Sequence, residues 1–212
     1  MKQYLSTMIL TAAAAAFAAA CGAPTEPNAA YPADHSAHTS AEPAHADGHH
    51  TASSPNAAGQ PYDLQFLDSM IHHHEGAVSM SEMVLRRSEN DELKAFARKV
   101  IDDQTKEIAQ MKQWREAWFA GKPAAVNMEL PGMKESMMTP EHENMMEAAS
   151  GRAFDDHFVE MMVPHHDGAV KMSRELLQKG ERAELKQLAE QIIKAQNAEI
   201  EQMRAWQKAW SR

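Results

Sequence analysis

From Leu64 to Leu85 the large apolar residues fall at Leu67, Met70, Ile71, Val78, Val84 and Leu85, with Ala77 on the same face. This is the three-and-four spacing of a helix and not the alternation of a strand. A polar break follows at residues 86–91. Leu93, Phe96, Ala97, Val100, Ile101, Ile108, Met111, Trp114 and Trp118 then resume the same rhythm. The pattern predicts two helices joined by a tight connection, an αα-hairpin.

The pattern then recurs. Residues 63–118 reappear at 155–210, shifted by 92 positions without a gap. Asp63, Phe66, Met70, His73, His74, Gly76, Ala77, Val78, Met80 and Ser81 return as Asp155, Phe158, Met162, His165, His166, Gly168, Ala169, Val170, Met172 and Ser173. In the second helix of each repeat Gln104, Glu107, Ile108, Gln110, Met111, Trp114 and Trp118 return as Gln196, Glu199, Ile200, Gln202, Met203, Trp206 and Trp210. Two hairpins of this kind predict an all-α fold, a four-helix bundle over residues 62–212, with a connector at 119–154. Gly121-Lys122-Pro123 ends the first hairpin. Thr139 as cap with Pro140 at the first helical position starts a short connector helix, about 140–149, before Gly151 releases the chain into the second hairpin.

Packing alone requires that apolar positions be kept between the repeats. It does not require histidines, a glutamate and thioethers at fixed places, and those are kept best. On a helix Met70, His73, Ala77 and Met80 share one face, with His74 and Ser81 on the adjoining row. Gly76 and Ala77 leave space beside the imidazoles. Antiparallel register about residue 89 sets His74 opposite Gln104, with Glu107 and Met111 one turn on, beside His73 and Met70. The same reasoning sets His166 against Gln196, Glu199 and Met203.

Imidazoles with thioethers form a soft nitrogen-and-sulfur set suited to Cu(I) and Ag(I). Methionine binds a soft cation without deprotonation and survives where paired cysteines would oxidise. Glu107 and Glu199 either fix a histidine tautomer from behind or bind directly, and a set of two histidines and one carboxylate would suit Zn(II). Buried histidines with methionine packing is the competing reading. Ser81 and Ser173 have no base and acid to make them nucleophiles. A ferritin-like oxidase needs Glu-x-x-His on facing helices, and the only such run, Glu42 to His45, lies outside the predicted helices. No Cys-x-x-Cys-His haem attachment occurs. Pro164 replaces His72 and removes a helical hydrogen bond to Glu160, which predicts a bend before His165 and His166. Trp114, Trp118, Trp206 and Trp210 are expected to pack the bundle ends.

The connector carries Met128, Met133, Met137, Met138, Met145 and Met146, with His142 among them. They are either flexible core filler or further soft donors.

The N-terminal part adds a location. Met1-Lys2 and an apolar stretch from Met8 to Ala20 are too short to span a bilayer and read as an export signal, residues 1–20. It ends at Cys21, the single cysteine, in a setting that resembles the lipobox of bacterial lipoproteins. That resemblance implies acylation at Cys21 and a membrane anchor. Residues 21–61 are rich in Ala, Pro, Ser and Gly and read as a disordered tether carrying His35, His38, His45, His49 and His50. The net charge of −9 becomes −10 when Lys2 leaves with the signal, which argues against nucleic acid as a partner and fits a protein that meets cations.

The doubled motif Phe-x-x-x-Met-x-x-His-His-x-Gly-Ala-Val-x-Met at 66–80 and 158–172, each followed by Gln-x-x-Glu-Ile-x-Gln-Met-x-x-Trp, resembles the bacterial DUF305 family over roughly residues 60–210. The resemblance implies a ferritin-like four-helix bundle. Some members are implicated in binding Cu(I) or Ag(I) and in copper tolerance. It carries a metal role onto Met70, His73, His74, Met80, Met162, His165, His166 and Met172, and less directly onto Glu107, Met111, Glu199 and Met203. The expected protein is a non-enzymatic envelope metal binder that buffers copper or passes it to copper-handling partners. A metal-dependent oxidoreductase or a zinc-binding or purely structural lipoprotein bundle is the alternative.

Overall fold

A computed structural model of the protein describes residues 52–211. The first hairpin is α1 (Tyr62–Arg87) and α2 (Asp91–Phe119). A connector with two short helices, α3 (Met133–Ser136) and α4 (Pro140–Ala148), leads to the second hairpin, α5 (Gly151–Lys179) and α6 (Ala183–Trp210). The described residues contain no strand. The expected all-α four-helix bundle of two repeated hairpins is the observed fold.

Local chemistry fixes the helix ends. The Asn90 side chain accepts from the amides of Glu92 and Leu93 and caps α2. Thr139 and His142 form a reciprocal capping box that starts α4. Asp63 of the first hairpin accepts from the amides of Glu181 and Arg182, at the turn into α6. This duplicated aspartate therefore ties one hairpin to the start of the other's outer helix. The Arg87 guanidinium, at the end of α1, donates to the carbonyls of Met146, Glu147 and Ala149. α5 runs unbroken through Pro164.

The hairpins meet backbone to backbone along α1 and α5. Side chains join the outer helices: Lys99 on α2 donates to Glu199 on α6 at 2.7 Å. Trp114 stacks on Trp118 and Trp206 on Trp210, with ring centroids 5.2 and 5.7 Å apart. Arg182 lies over Trp118 and Arg152 over Trp210, so the tryptophans close the bundle ends under cationic lids.

Two apolar clusters fill the interior. One contains Phe66, Met70, Met111, Met133 and Met172. The other contains Met80, Phe158, Met162, Met203 and Met146. Met70 stays with Met111 and Met162 with Met203, as the register within each hairpin predicts, and each cluster also takes a methionine from the other repeat. Because α1 and α5 run antiparallel, the methionine before the imidazoles in one repeat packs with the methionine after them in the other. Met70 joins Met172, and Met162 joins Met80.

The tether is also shorter than composition suggests. Ser53 and Ser54 accept from the amides of Met128 and Val126, and Ser54 N donates to the Val126 carbonyl. Residues 57–59 form a 3-10 turn whose Ala57 is buried. Few apolar side chains are needed there, since the serines satisfy connector amides that would otherwise lack partners. Cys21, the proposed signal and the five tether histidines lie outside the described residues.

The duplicated glycines differ in their surroundings. A Cβ on Gly168 would lie 2.7 Å from the Gly132 carbonyl oxygen and collide with the Ser136 side chain, whereas one on Gly76 would meet only His165 Nε2, at 3.3 Å. Gly168→Ala should therefore destabilise the protein by about 1–3 kcal/mol, because backbone cannot yield as a side chain does. Gly76→Ala, with only the flexible imidazole to displace and a gain of about 1 kcal/mol in helix propensity, should cost clearly less. Urea unfolding of both variants checks the order, and equal losses would contradict it.

Candidate metal centre

His73 and His74 sit mid-way along α1, His165 and His166 mid-way along α5, and all four are buried. They occupy the level between the two methionine clusters, where the inner helices approach. The His73 and His165 rings face each other with centroids 3.8 Å apart and planes tilted by 38°. His74 and His166 lie 6.2 and 6.4 Å from their chain neighbours and point toward the outer helices.

Each outward imidazole meets a carboxylate. His74 Nε2 donates to Glu107 at 2.6 Å and His166 Nε2 donates to Glu199 at 2.9 Å. A carboxylate oxygen accepts, so Nε2 carries a proton in each pair, and Nδ1 is the ring nitrogen left without a partner. The register expectation is corrected by one turn in the first hairpin: Glu107 reaches His74 rather than His73. The pairs are not equivalent. Burial raises the Glu199 carboxyl, but the hydrogen bonds and charges of His166 and Lys99 outweigh it and hold the group below its ordinary range. Position 191, which corresponds to Lys99 in the second repeat, is glutamine.

The inward imidazoles differ too. Ser136 of α3 donates its hydroxyl hydrogen to the Met133 carbonyl and so accepts from His73 Nε2, at 2.9 Å in both cases. His165 has no counterpart, and neither of its ring nitrogens has a hydrogen-bond partner. The Nδ1 atoms of His73, His74 and His166 are likewise buried and unpartnered. A buried acceptor left unmade costs about 1–3 kcal/mol, so a layer of them calls for an electrophile. Gln104 and Gln196, expected level with the imidazoles, also bury amide atoms without partners.

Burial pushes His73 and His165 well below the ordinary histidine range. Neighbouring imidazoles lower both further, with the nearby His73 backbone opposing the shift at His165. Both rings stay neutral in the fold, the state in which an imidazole can bind a metal. Met70, Met80, Met111, Met162, Met172 and Met203 are all buried around this layer. The donors present, neutral nitrogens with thioethers, fit a soft monovalent cation. Among the described residues no group of three or more histidines and carboxylates converges into a metal-binding set, so the zinc-type arrangement is not assembled.

The profile of DUF305, a domain of unknown function, matches residues 11–115 and 63–207. The chain belongs to the DUF305 family. Among solved structures it is similar to CopM in the Cu(I)-bound form, at 36% identity over 70% of this chain and 96% of CopM, with a TM-score of 0.59. CopM in the Cu(II)-bound form aligns at 39% identity, covering 70% and 97% of the two chains, with a TM-score of 0.60. CopM has also been solved with silver, at 37% identity over 70% and 96% and a TM-score of 0.58. A DUF305 protein of Streptomyces coelicolor shares the fold, with 24% identity, coverage of 70% and 90% and a TM-score of 0.62. No curated protein matches the chain. In DUF305 terms, the doubled His-His-Met motif forms the layer at which the two repeats join.

Sequence reasoning missed two participants in this DUF305 centre. Ser136 stands in the connector, where no periodicity marks it, and Lys99 is one exposed lysine among many. Only the duplicated glutamate hinted that something must hold it.

The depressed histidines make stability depend on pH. Their folded pKa lies below 6.5, the ordinary value, so the unfolded chain takes up protons first. The stability they allow is present above that value and is lost as pH falls below it. Metal-free protein should lose up to about 1.4 kcal/mol per pH unit for each of the two rings. Urea unfolding at a series of pH values checks this, and a flat profile below neutrality would show that the rings protonate within the fold.

Proposed function

We propose that this protein is a non-enzymatic metal binder of the cell envelope that takes up Cu(I), and by the same softness Ag(I), to buffer copper or pass it on. The observation that carries the proposal is the layer of buried imidazoles with unpartnered ring nitrogens, held between two clusters of buried thioethers. His73, His74, His165 and His166 supply nitrogen. Met70, Met80, Met162 and Met172 supply sulfur, with Met111 and Met203 behind them. Glu107 and Glu199 set the tautomers of His74 and His166, leaving Nδ1 free to face the ion.

The similarity to CopM, solved with Cu(I), Cu(II) and silver, supports copper or silver as the cargo. Zinc has less support, since it favours nitrogen and carboxylate sets. No described helix is long and apolar enough to cross a membrane. The export signal and acylation of Cys21 would place the bundle at a membrane surface, on a short tether, within reach of copper-handling envelope proteins.

Anaerobic titration with Cu(I), Ag(I) and Zn(II) against a competing chelator tests the reading, with circular dichroism and thermal melting as the check on folding. The parent should bind both monovalent ions and prefer them to zinc. His73→Ala with His165→Ala should weaken binding by more than the roughly 10–100-fold loss that follows removal of a merely supporting group. Unchanged Cu(I) affinity in the folded double variant would overturn the assignment.

A further inference from the structure

The connector methionines divide by burial. Met128, Met133 and Met146 are core. Met137 and Met138 are half-buried and Met145 is exposed. These last three, with Met80, Met161 and His157, line a surface cleft of about 310 Å³ between the connector and α5. Three carboxylates, Glu135, Glu141 and Glu160, stand on the same walls and attract cations to its mouth. Met80, Met137 and Met138 also line a second, smaller niche of about 90 Å³, whose walls include Gly76 and His165.

The repeat explains why this niche is open. By its internal symmetry the bundle should have two such niches, one at Gly76 and His165, the other at Gly168 and His73. In the second, Ser136 stands against Gly168 and accepts from His73 Nε2, so α3 fills it. Among the described residues nothing fills the first. His165, only 1% exposed and with neither ring nitrogen bonded, borders the open niche, and the missing Cβ of Gly76 leaves room beside its buried Nε2.

We infer that the connector cleft is a second soft-metal site and the inlet of the protein: a monovalent soft cation is captured at the surface by Met137, Met138, Met145, Met161 and His157, then passed along Met80, Met137 and Met138 to His165. The inference rests on the soft-metal reading above and adds a route to it. The chemistry of the lining supports it. His157 Nδ1 donates to Glu160 at 3.4 Å, which leaves Nε2 as the ring nitrogen for a metal. Thioethers bind soft cations without proton release, so an ion can exchange from one sulfur to the next with no proton to be moved at each step. His142, on the same wall, is engaged through Nδ1 as the α4 cap and is assigned no ligand role. The route reaches the centre from one side only, so His165 loads before His73.

The test is anaerobic titration of the protein, carbon-13 labelled at its methionine methyls, with Ag(I), a redox-inert stand-in for Cu(I). Met137, Met138, Met145 and Met161 methyls should shift with the first additions, ahead of Met70 and Met172. A variant carrying Met137→Leu, Met138→Leu, Met161→Leu and His157→Gln should lose the surface equivalent and load the buried sites more slowly, with the final occupancy of those sites unchanged. Gly76→Ala, which narrows the niche without touching the cleft, should slow loading and keep the surface equivalent. Surface methyls that stay still while the buried ones shift, or a leucine variant with the parent's stoichiometry and loading rate, would overturn the inlet alone. No response at any methyl would overturn the soft-metal reading itself. If the leucine variant is unstable, the order of methyl shifts in the parent decides.

Discussion

The constraint on which the rest depends is the burial of four imidazoles where α1 and α5 meet. Stacking His73 on His165 at 3.8 Å is compatible with neutral rings and incompatible with two cations, since removal from water and mutual repulsion both penalise charge there. The inner helices must therefore approach closely, which the small residues at 76, 77, 168 and 169 permit. The polar layer also divides the hydrophobic core into two methionine-rich halves. Leaving ring nitrogens unpartnered in such a place costs stability, and a bundle built only to be stable would have filled the layer with leucine.

The outer helices complete the layer without copying each other. Each supplies a glutamate that orients an imidazole, yet only Glu199 is held by a lysine, reaching across from the other hairpin. Glu107, more exposed and without that cation, holds His74 alone. The two halves of the centre thus differ in electrostatics while sharing every donor atom. The Lys99 bridge also links α2 to α6, so the contact that makes the site asymmetric is one of those that join the hairpins.

The connector breaks the symmetry in a second way. Inserted between two hairpins of the same design, it lies over one of the two faces where α1 and α5 meet. Its tight turn at Gly132, with φ near 83°, brings Ser136 onto Gly168, and one imidazole acquires a partner that the other lacks. A repeat that began as two equivalent halves becomes one sealed side and one accessible side.

Much of this was legible in the residues themselves. The three-and-four spacing of apolar positions determined the helices, the 92-residue shift determined two hairpins, and duplication of His-His-Met with a glutamate singled out the donors. Periodicity is a local property, so it shows in a string. Tertiary structure alone decided the exchange of methionines between repeats, because the antiparallel docking of α1 on α5 is not encoded in either hairpin's pattern. Likewise Ser136, Lys99 and the open face at Gly76 acquire meaning only through contacts across long stretches of chain. The donors were written in the sequence, but which are sealed, which are held and which are reachable depends on how the connector crosses the bundle.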